Sequence, residues 1–301
     1  MIETFDLALP HGITLSCRAC GPVDAPRLVF LHGFPEGAFI WDEVMSSLAA
    51  DYRCIAPNLR GYERSSAPAE VAAYRAKHLV ADIAALIAAT GDGPLAALIA
   101  HDWGGAVAWN LAVQRPELLQ RLVIINSPHP ATFLRELQHS AAQQAASAYM
   151  NFFCQPDAEA LLAADDYARL WQFFTQVFTQ TAAPWLDEPM RARYRALWAQ
   201  GLTGPLNYYR ASPLRPPTAD DPAALNVSFA PEFVTVQVPT HVIWGEADTA
   251  LPPVMLDGLE AFVPELTVQR VAGATHWIVH EQPTLIAAAI TSALAFTAAG
   301  R

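Results

Sequence analysis

One aspartate in this sequence lies in a pattern of residues that favours nucleophilic chemistry. An apolar run at residues 95–100 is followed by His101, Asp102 and Trp103, and then by Gly104 and Gly105. The spacing, with small residues two positions before and two positions after Asp102, is typical of a sharp turn between a buried strand and a helix. A carboxylate on such a turn has no proton to lose, so it could attack an electrophilic carbon and form an ester. The alternative is that Asp102 only caps the following helix.

Two further polar residues follow strand-like segments and would complete a catalytic set. Residues 241–244 lead into a turn that ends at Asp248, and residues 267–271 lead into a loop that carries His276. A histidine held by an aspartate can take a proton from water, which could then hydrolyse an ester on Asp102. The coincidence of these three positions favours catalysis over the helix-cap interpretation.

A third segment ends in a turn that could stabilise negative charge. Residues 28–31 are apolar at every position and are followed by His32, Gly33, Phe34 and Pro35. A turn of this kind can place a backbone amide near the nucleophile, where it would form part of an oxyanion hole.

The elements that must position these residues alternate between strand-like and helix-like patterns. Eight short runs predict strands, at residues 4–9, 13–18, 28–31, 52–56, 95–100, 122–125, 241–244 and 267–271. Four longer segments predict helices, at residues 74–89, 104–114, 253–262 and 283–297. This alternation predicts an α/β fold, with a mostly parallel eight-stranded sheet and helices on both faces.

A long insertion separates the sixth predicted strand from the seventh. Residues 129–232 show no strand-like run and are rich in Ala, Gln, Leu and aromatic residues. We therefore expect a helical cap domain over residues 129–232 and a core domain formed by residues 1–128 and 233–301. An insertion at this point would lie over the carboxyl ends of the strands, where open α/β sheets bind ligands.

The composition argues against several classes of partner. The 301 residues are 53% hydrophobic and 16% charged, with a formal net charge of −11 at pH 7. Such a charge repels phosphate backbones and anionic membrane surfaces, so we expect neither nucleic-acid binding nor membrane attachment. The first residues lack the basic start of a secretory signal, and no apolar run has the length of a membrane span. We therefore expect a cytoplasmic protein.

The cysteines do not indicate a disulfide framework or a metal site. There are four, Cys17, Cys20, Cys54 and Cys154, and they are widely scattered. Cys17 and Cys20 have C-x-x-C spacing, but no second cysteine or histidine pair completes a zinc set. Because both fall in a predicted strand and not on a strand-to-helix turn, we expect them to be structural.

Four motifs resemble those of one branch of a known family. They are HGFP at residues 32–35, HDWGG at 101–105, NSPHP at 126–130 and ATHW at 274–277. Over nearly its whole length the chain is similar to the epoxide hydrolase and haloalkane dehalogenase branch of the α/β-hydrolases.

This resemblance implies a role for each residue of the catalytic set. Asp102 would be the nucleophile, His276 the base that activates water, and Asp248 the acid that orients His276, with no cofactor and no metal. The chain departs from many relatives at Ala100, where they have glycine. It also has Asn126 after the sixth strand, so the alternative position for the acid is not filled and Asp248 is the good candidate.

The epoxide hydrolases of this branch use two tyrosines of the cap to bind the epoxide oxygen. The segment LNYYR at residues 206–210 resembles the second tyrosine motif and implies Tyr209, while Tyr149, a few residues before a Gln-Pro pair, fits the first. The alternative for both is ordinary aromatic packing in the cap. Tyr167 and Tyr208 are interpreted as packing residues.

The resemblance also implies the remaining contacts of the site. Backbone amides of Phe34 and Trp103 would hold the oxyanion, and His32, Pro35 and Trp103 would contact the substrate. The implied partners are a small hydrophobic epoxide and water. The sequence leaves the oligomeric state open, with a homodimer as one option.

Two other functions stay open. A haloalkane or haloacetate dehalogenase would use the same Asp-His-Asp set, but haloacetate dehalogenases typically carry arginines beside the nucleophile, where this chain has Trp103 and Ala106. A ligand-binding α/β-hydrolase without turnover would be expected to have a broken catalytic set. The two cap tyrosines favour an epoxide hydrolase that forms an Asp102 ester and releases a vicinal diol.

Overall fold

The computed structural model describes residues 1–179 and 183–295, which contain one eight-stranded sheet. The strands are β1 (Glu3–Ala8), β2 (Thr14–Cys20), β3 (Arg27–Leu31), β4 (Arg53–Pro57), β5 (Ala97–His101), β6 (Leu122–Ile125), β7 (Thr240–Gly245) and β8 (Leu266–Val271). Their order across the sheet is β1-β2-β4-β3-β5-β6-β7-β8. Strand β2 pairs antiparallel with β1 and β4, and the other neighbours pair parallel. The predicted mostly parallel α/β sheet is confirmed.

Helices connect the strands and cover both faces of the sheet. They are α1 (Asp42–Leu48), α2 (Ala76–Ala89), α3 (Asp102–Gln114), α4 (Pro130–His139), α5 (Ala141–Ala146), α6 (Tyr149–Phe153), α7 (Ala158–Gln172), α8 (Glu188–Trp198), α9 (Thr203–Ala211), α10 (Ile278–Glu281) and α11 (Pro283–Ala295). Helix α7 is broken by non-helical backbone at residues 164–167. Within residues 1–179 and 183–295, no helix combines the length and apolarity needed to cross a bilayer.

The central strands are continuous apolar runs because helices cover them on both sides. Every residue of β3, β5 and β6 is buried. Alternate side chains enter two different apolar clusters, with Val29 and Leu31 in one and Leu28 and Phe30 in the other. A strand directs successive side chains to opposite faces of the sheet. Both faces are covered by apolar residues here, so apolar side chains are needed at every position of the strand.

One predicted helix is wrong. Residues 253–262 form two short 3-10 turns, Pro253–Leu256 and Leu259–Ala261, instead of a continuous helix. Gly258 separates them with a φ of +76°, in the left-handed region that ends a helix. The predicted helix at residues 283–297 is confirmed over Pro283–Ala295, and its last two residues lie outside the described ones.

The chain between β6 and β7 lies over the carboxyl edge of the sheet. Its described residues form helices α4 to α9 and loops, without a strand. The indole of Trp198 donates a hydrogen bond of 2.7 Å to the carbonyl oxygen of Pro35, and Tyr208 donates one of 2.9 Å to that of Arg60. These bonds tie the helices to loops that follow β3 and β4. The exact domain limits, 128/129 and 232/233, stay a prediction.

Candidate active site

The turn between β5 and α3 presents Asp102 at the carboxyl edge of the sheet. Asp102 has a φ of +50°, a left-handed conformation that costs free energy for a non-glycine residue. A Cβ at Gly104 would lie 2.5 Å from the carbonyl oxygen of Leu31, so no larger residue fits there. Ser127 Oγ donates a hydrogen bond of 2.6 Å to the carbonyl oxygen of Asp102. Gly104, two positions after Asp102, is therefore the small residue that lets α3 approach β3.

The loops after β7 and β8 bring Asp248 and His276 to Asp102. His276 Nδ1 lies 2.7 Å from Asp248 Oδ2, and His276 Nε2 lies 3.8 Å from Asp102 Oδ2. The second distance is too long for a direct hydrogen bond. Nε2 is buried and has no hydrogen-bond partner among the residues of the described chain. It is therefore free to accept a proton from a water molecule that approaches the carboxyl carbon of Asp102.

Asp248 is held by more than its bond to His276. Its Oδ1 accepts hydrogen bonds of 2.9 and 2.8 Å from the backbone amides of Ala250 and Leu251, and its Oδ2 accepts one of 2.8 Å from Asn126 Nδ2. These donors fix the carboxylate so that Oδ2 points at the imidazole. In the sequence, Asn126 stands out only as the absence of an acid, and no motif predicts this role.

Three carboxylates surround His276. Burial lowers the pKa of His276, but the charge of Asp248, its hydrogen bond, and the charges of Asp102 and Glu36 outweigh burial and raise this pKa to about 9. A proton on the imidazole is thus stabilised while Asp102 is charged. Conversion of Asp102 into a neutral ester would remove one of these charges and lower the pKa of His276.

The turn after β3 supplies a backbone donor to the carboxyl group of Asp102. The amide of Phe34 donates a hydrogen bond of 2.6 Å to Asp102 Oδ1. A side chain at Gly33 would collide with the same carboxylate, which explains the glycine before Phe34. Trp103 is the second residue of α3, directly after Asp102, and the contribution of its amide to the oxyanion hole stays a prediction.

His32 and Pro35 are not among the residues that line the cavity above Asp102, and their contact with substrate stays a prediction. His32 is fully buried, its Nε2 accepts a hydrogen bond of 3.0 Å from the amide of Leu59, and its Nδ1 lies 3.0 Å from the carbonyl oxygen of Gly33. Burial lowers the pKa of His32 to about 4, which suits this neutral acceptor. These contacts of His32 hold the turn that positions Phe34.

A cavity of about 250 Å³ opens above Asp102. Its walls are mainly apolar and aromatic, with Trp103, Phe133, Tyr149 and Tyr209 among them. Of the lining residues that the structure describes, Asp102 is the charged one. Such a site favours a neutral, largely apolar ligand with an electrophilic atom near the carboxylate.

The two tyrosines predicted from the cap lie together in the wall of this cavity. Tyr149 begins α6 and Tyr209 lies near the end of α9, and their ring centroids are 6.1 Å apart. The ring of Tyr209 also packs edge-on against Trp103, at 5.1 Å. Burial, followed by the negative charge of Asp102 and other neighbours, raises the pKa of both phenols well above the usual value. Both hydroxyls are therefore protonated and able to donate.

The residue beside Tyr209 has a different role. The hydroxyl of Tyr208 donates to the carbonyl oxygen of Arg60, whose guanidinium forms a buried ion pair with Asp82 at 2.6 Å. This hydrogen bond holds α9 in place, so that the neighbouring side chain of Tyr209 lines the cavity. Tyr167 packs against Trp198 at 5.3 Å, as expected of a packing residue.

A buried polar cluster lies beneath the catalytic residues, and no sequence motif predicts it. Glu36 Oε1 accepts hydrogen bonds of 2.8 Å from Tyr194 and from His280, and Oε2 lies 3.3 Å from His101 Nδ1. Burial disfavours charge on Glu36, but its contacts with His101 and His280 outweigh burial and hold the pKa of the carboxyl well below its usual range. His101 Nε2 donates to the carbonyl oxygen of His276 at 2.9 Å, so the cluster fixes the backbone of the catalytic histidine.

Comparison with known proteins agrees with this geometry. The family described as alpha/beta hydrolase fold matches residues 26–283. AB hydrolase superfamily protein YfhM of Bacillus subtilis is 38% identical over 280 residues, which cover 92% of each chain. The chain therefore belongs to the alpha/beta hydrolase fold family.

Two solved structures of similar proteins carry a more particular name. One comes from a set of novel epoxide hydrolases in metagenomes from hot environments; it is 37% identical, with a TM-score of 0.87, and the match covers 98% of this chain and 99% of that one. The other is the Bacillus megaterium epoxide hydrolase in complex with an inhibitor. It is 30% identical, with a TM-score of 0.88 and coverage of 97% and 100%.

Proposed function

We propose that this protein hydrolyses small, neutral, apolar epoxides to vicinal diols through a covalent ester on Asp102. The observation that carries the proposal is a carboxylate at the nucleophile turn that faces two protonated tyrosines across one apolar cavity. The names of the two similar structures support the same activity.

In the first step, Asp102 attacks one carbon of the epoxide ring. Its Oδ1 is held by the amide of Phe34, so Oδ2 is the oxygen available to form the new bond to carbon. The ring C–O bond breaks, and Tyr149 and Tyr209 donate hydrogen bonds to the oxygen on which negative charge develops. Removal of one such donor typically costs about 10²–10³ in rate.

In the second step, water hydrolyses the ester. Neutral His276, oriented by Asp248, takes a proton from a water molecule that attacks the carboxyl carbon of Asp102. The Phe34 amide stabilises the charge that forms on Oδ1, with the Trp103 amide as the predicted second donor. The bond between the carboxyl carbon and Oδ2 then breaks, and His276 gives back the proton that it took. The two protons of the water end on the two oxygens of the diol, which leaves with Oδ2, and Asp102 is again a carboxylate, with one oxygen from water.

The two steps should respond differently to pH. Neutral His276 is needed only for hydrolysis, and ester formation lowers its pKa from about 9 by removing the charge of Asp102. Below that lowered pKa, hydrolysis of the ester should slow by about tenfold per pH unit, because the neutral fraction of His276 falls. Stopped-flow mixing with an epoxide across the acid range would measure both rates. A hydrolysis rate that stays flat from about pH 5 to about pH 9 would contradict His276 as the base.

The proposed activity can be separated from dehalogenation by one set of assays. We expect diol from styrene oxide, and little halide from a haloalkane or a haloacetate, since the two phenols are placed to stabilise an oxyanion. Asp102→Ala should lose diol formation, while Ser46→Ala, which alters an exposed position on α1, should retain it. Faster halide release than diol formation would favour a dehalogenase. The cytoplasmic location and the homodimer stay predictions.

A further inference from the structure

The structure pairs two cysteines that the sequence does not bring together. Cys20 ends β2, Cys54 is the second residue of β4, and the two are direct partners in the antiparallel register. Direct partners on antiparallel strands have Cα atoms about 4.5–5.5 Å apart and project their side chains to the same face. Disulfides need a Cα separation of about 4.4–6.8 Å. The backbone therefore already meets the distance requirement for a disulfide.

The C-x-x-C spacing noted in the sequence has no such geometry. Cys17 and Cys20 are three positions apart on one strand, so their side chains point to opposite faces of the sheet. Accordingly, Cys17 packs in the same apolar cluster as Leu15, whereas Cys20 and Cys54 share the cluster on the other face. The partner of Cys20 is thus Cys54.

The ends of the two strands are clamped around this pair. Arg53 Nη1 donates a hydrogen bond of 3.0 Å to the carbonyl oxygen of Gly21, and its Nη2 pairs with Glu3 on β1. Gly21 has a φ of +90°, and a side chain there would collide with the carbonyl group of Tyr52. These close contacts restrict the separation of Cys20 from Cys54.

Both thiols are buried, with exposed fractions of 2% for Cys20 and 0% for Cys54, and their surroundings shift their pKa values in opposite directions. The hydrogen bond with Cys54 lowers the pKa of Cys20; burial opposes this effect, and the positive charges of the N-terminus and Arg53 reinforce it. The same bond, together with burial, raises the pKa of Cys54. Cys20 is therefore the thiol that reaches the nucleophilic thiolate form more easily.

We propose that Cys20 and Cys54 are a redox-active pair that closes to a disulfide when the folded protein meets a peroxide. The Cys20 thiolate attacks one oxygen of hydrogen peroxide, the O–O bond breaks, and sulfenic acid and hydroxide form. The Cys54 thiol then attacks the sulfenic sulfur, which forms the S–S bond and releases water. In total, two thiols lose two electrons and two protons, and one peroxide becomes two waters.

The crosslink would stabilise the fold without blocking the active site. It would close a loop over residues 21–53, which contains β3, and so restrict the unfolded chain. Cys54 lies at the start of β4, whereas Phe34, Asp102 and His276 follow the carboxyl ends of their strands. We expect the melting temperature to rise by about 3–6 °C on oxidation, with hydrolytic activity retained.

The test oxidises the native, full-length protein with hydrogen peroxide, blocks remaining thiols with an alkylating reagent, and maps peptides by mass spectrometry. We expect a linked pair of peptides that contain Cys20 and Cys54, lighter than the reduced pair by two hydrogen atoms and separated by dithiothreitol. Cys20→Ala and Cys54→Ala should each abolish this species and the rise in melting temperature. Cys17→Ala is the matched control on the same strand and should retain both.

Any of four results would overturn the proposal. In two of them the native protein forms no crosslink: both thiols stay reduced, or Cys20 proceeds to sulfinic acid. The third is a link from Cys20 to Cys17 or Cys154. The fourth is a Cys20–Cys54 link that forms only after the protein is unfolded in denaturant, because the strand register of the folded protein would then not explain the link.

Discussion

Replacement of His276 by glutamine is expected to leave a protein that forms the ester on Asp102 once and then stops. The side-chain amide of glutamine can still donate a hydrogen bond to Asp248, but it cannot take a proton from water. Steady-state diol formation should fall by at least about 10³-fold, while formation of the ester proceeds. Intact-protein mass spectrometry after mixing with an epoxide should show one adduct with the mass of the epoxide, and peptide mapping should place it on Asp102.

The matched control for this variant is His139→Gln, since His139 is exposed at the end of α4. It should turn over at the parent rate and accumulate no adduct. A folded His276→Gln protein without an adduct, or with an adduct on another residue, would contradict Asp102 as the nucleophile.

The double variant Tyr149→Phe, Tyr209→Phe should nearly abolish opening of the epoxide ring. Each single change keeps the aromatic ring and removes one hydroxyl donor, so packing changes little and the rate should fall by about 10²–10³-fold, or less if the other tyrosine compensates. With both donors removed, we expect a loss on the order of 10⁴-fold or more. Pre-steady-state measurement of ester formation isolates this step from hydrolysis of the ester.

Tyr167→Phe provides the control, because this cap tyrosine packs on Trp198 and does not line the cavity. Its rate of ester formation should equal that of the parent. Formation of the ester at the parent rate in the Tyr209→Phe protein would remove the main reason to prefer an epoxide over a halide as the reacting group.

The parts of the site that sequence predicted are those with local signals. Asp102, Asp248 and His276 each follow a short apolar run, and a parallel sheet gathers the carboxyl ends of its strands at one edge. Gly104 also gave a local signal, because the close approach of α3 to β3 admits only a small residue there. Tyr149 and Tyr209 came from resemblance, because nothing in the periodicity of a helical cap separates a cavity tyrosine from a packing one.

The parts that sequence missed depend on contacts between distant segments. Asn126 follows β6 and bonds to Asp248, which follows the neighbouring strand β7. Glu36 bonds to His280, which lies more than 200 residues further along the chain. The motif at residues 32–35 does not indicate which of its residues acts at the site. In the structure, His32 holds the turn, and the amide of Phe34 donates to Asp102. Which of these distant residues come into contact depends on the order of the strands in the sheet, which no local sequence signal gives.

The ester mechanism makes a direct prediction about the origin of the oxygen in the product. Hydrolysis breaks the bond between the carboxyl carbon of Asp102 and Oδ2, so the first diol takes an oxygen from the enzyme and the enzyme takes one from water. The measurement is a single turnover, with enzyme in excess over epoxide, in water enriched in the heavy oxygen isotope. We predict an unlabelled diol and label in the peptide that contains Asp102. Label in the first diol and none in that peptide would mean that water attacks the epoxide directly, which would contradict the covalent mechanism.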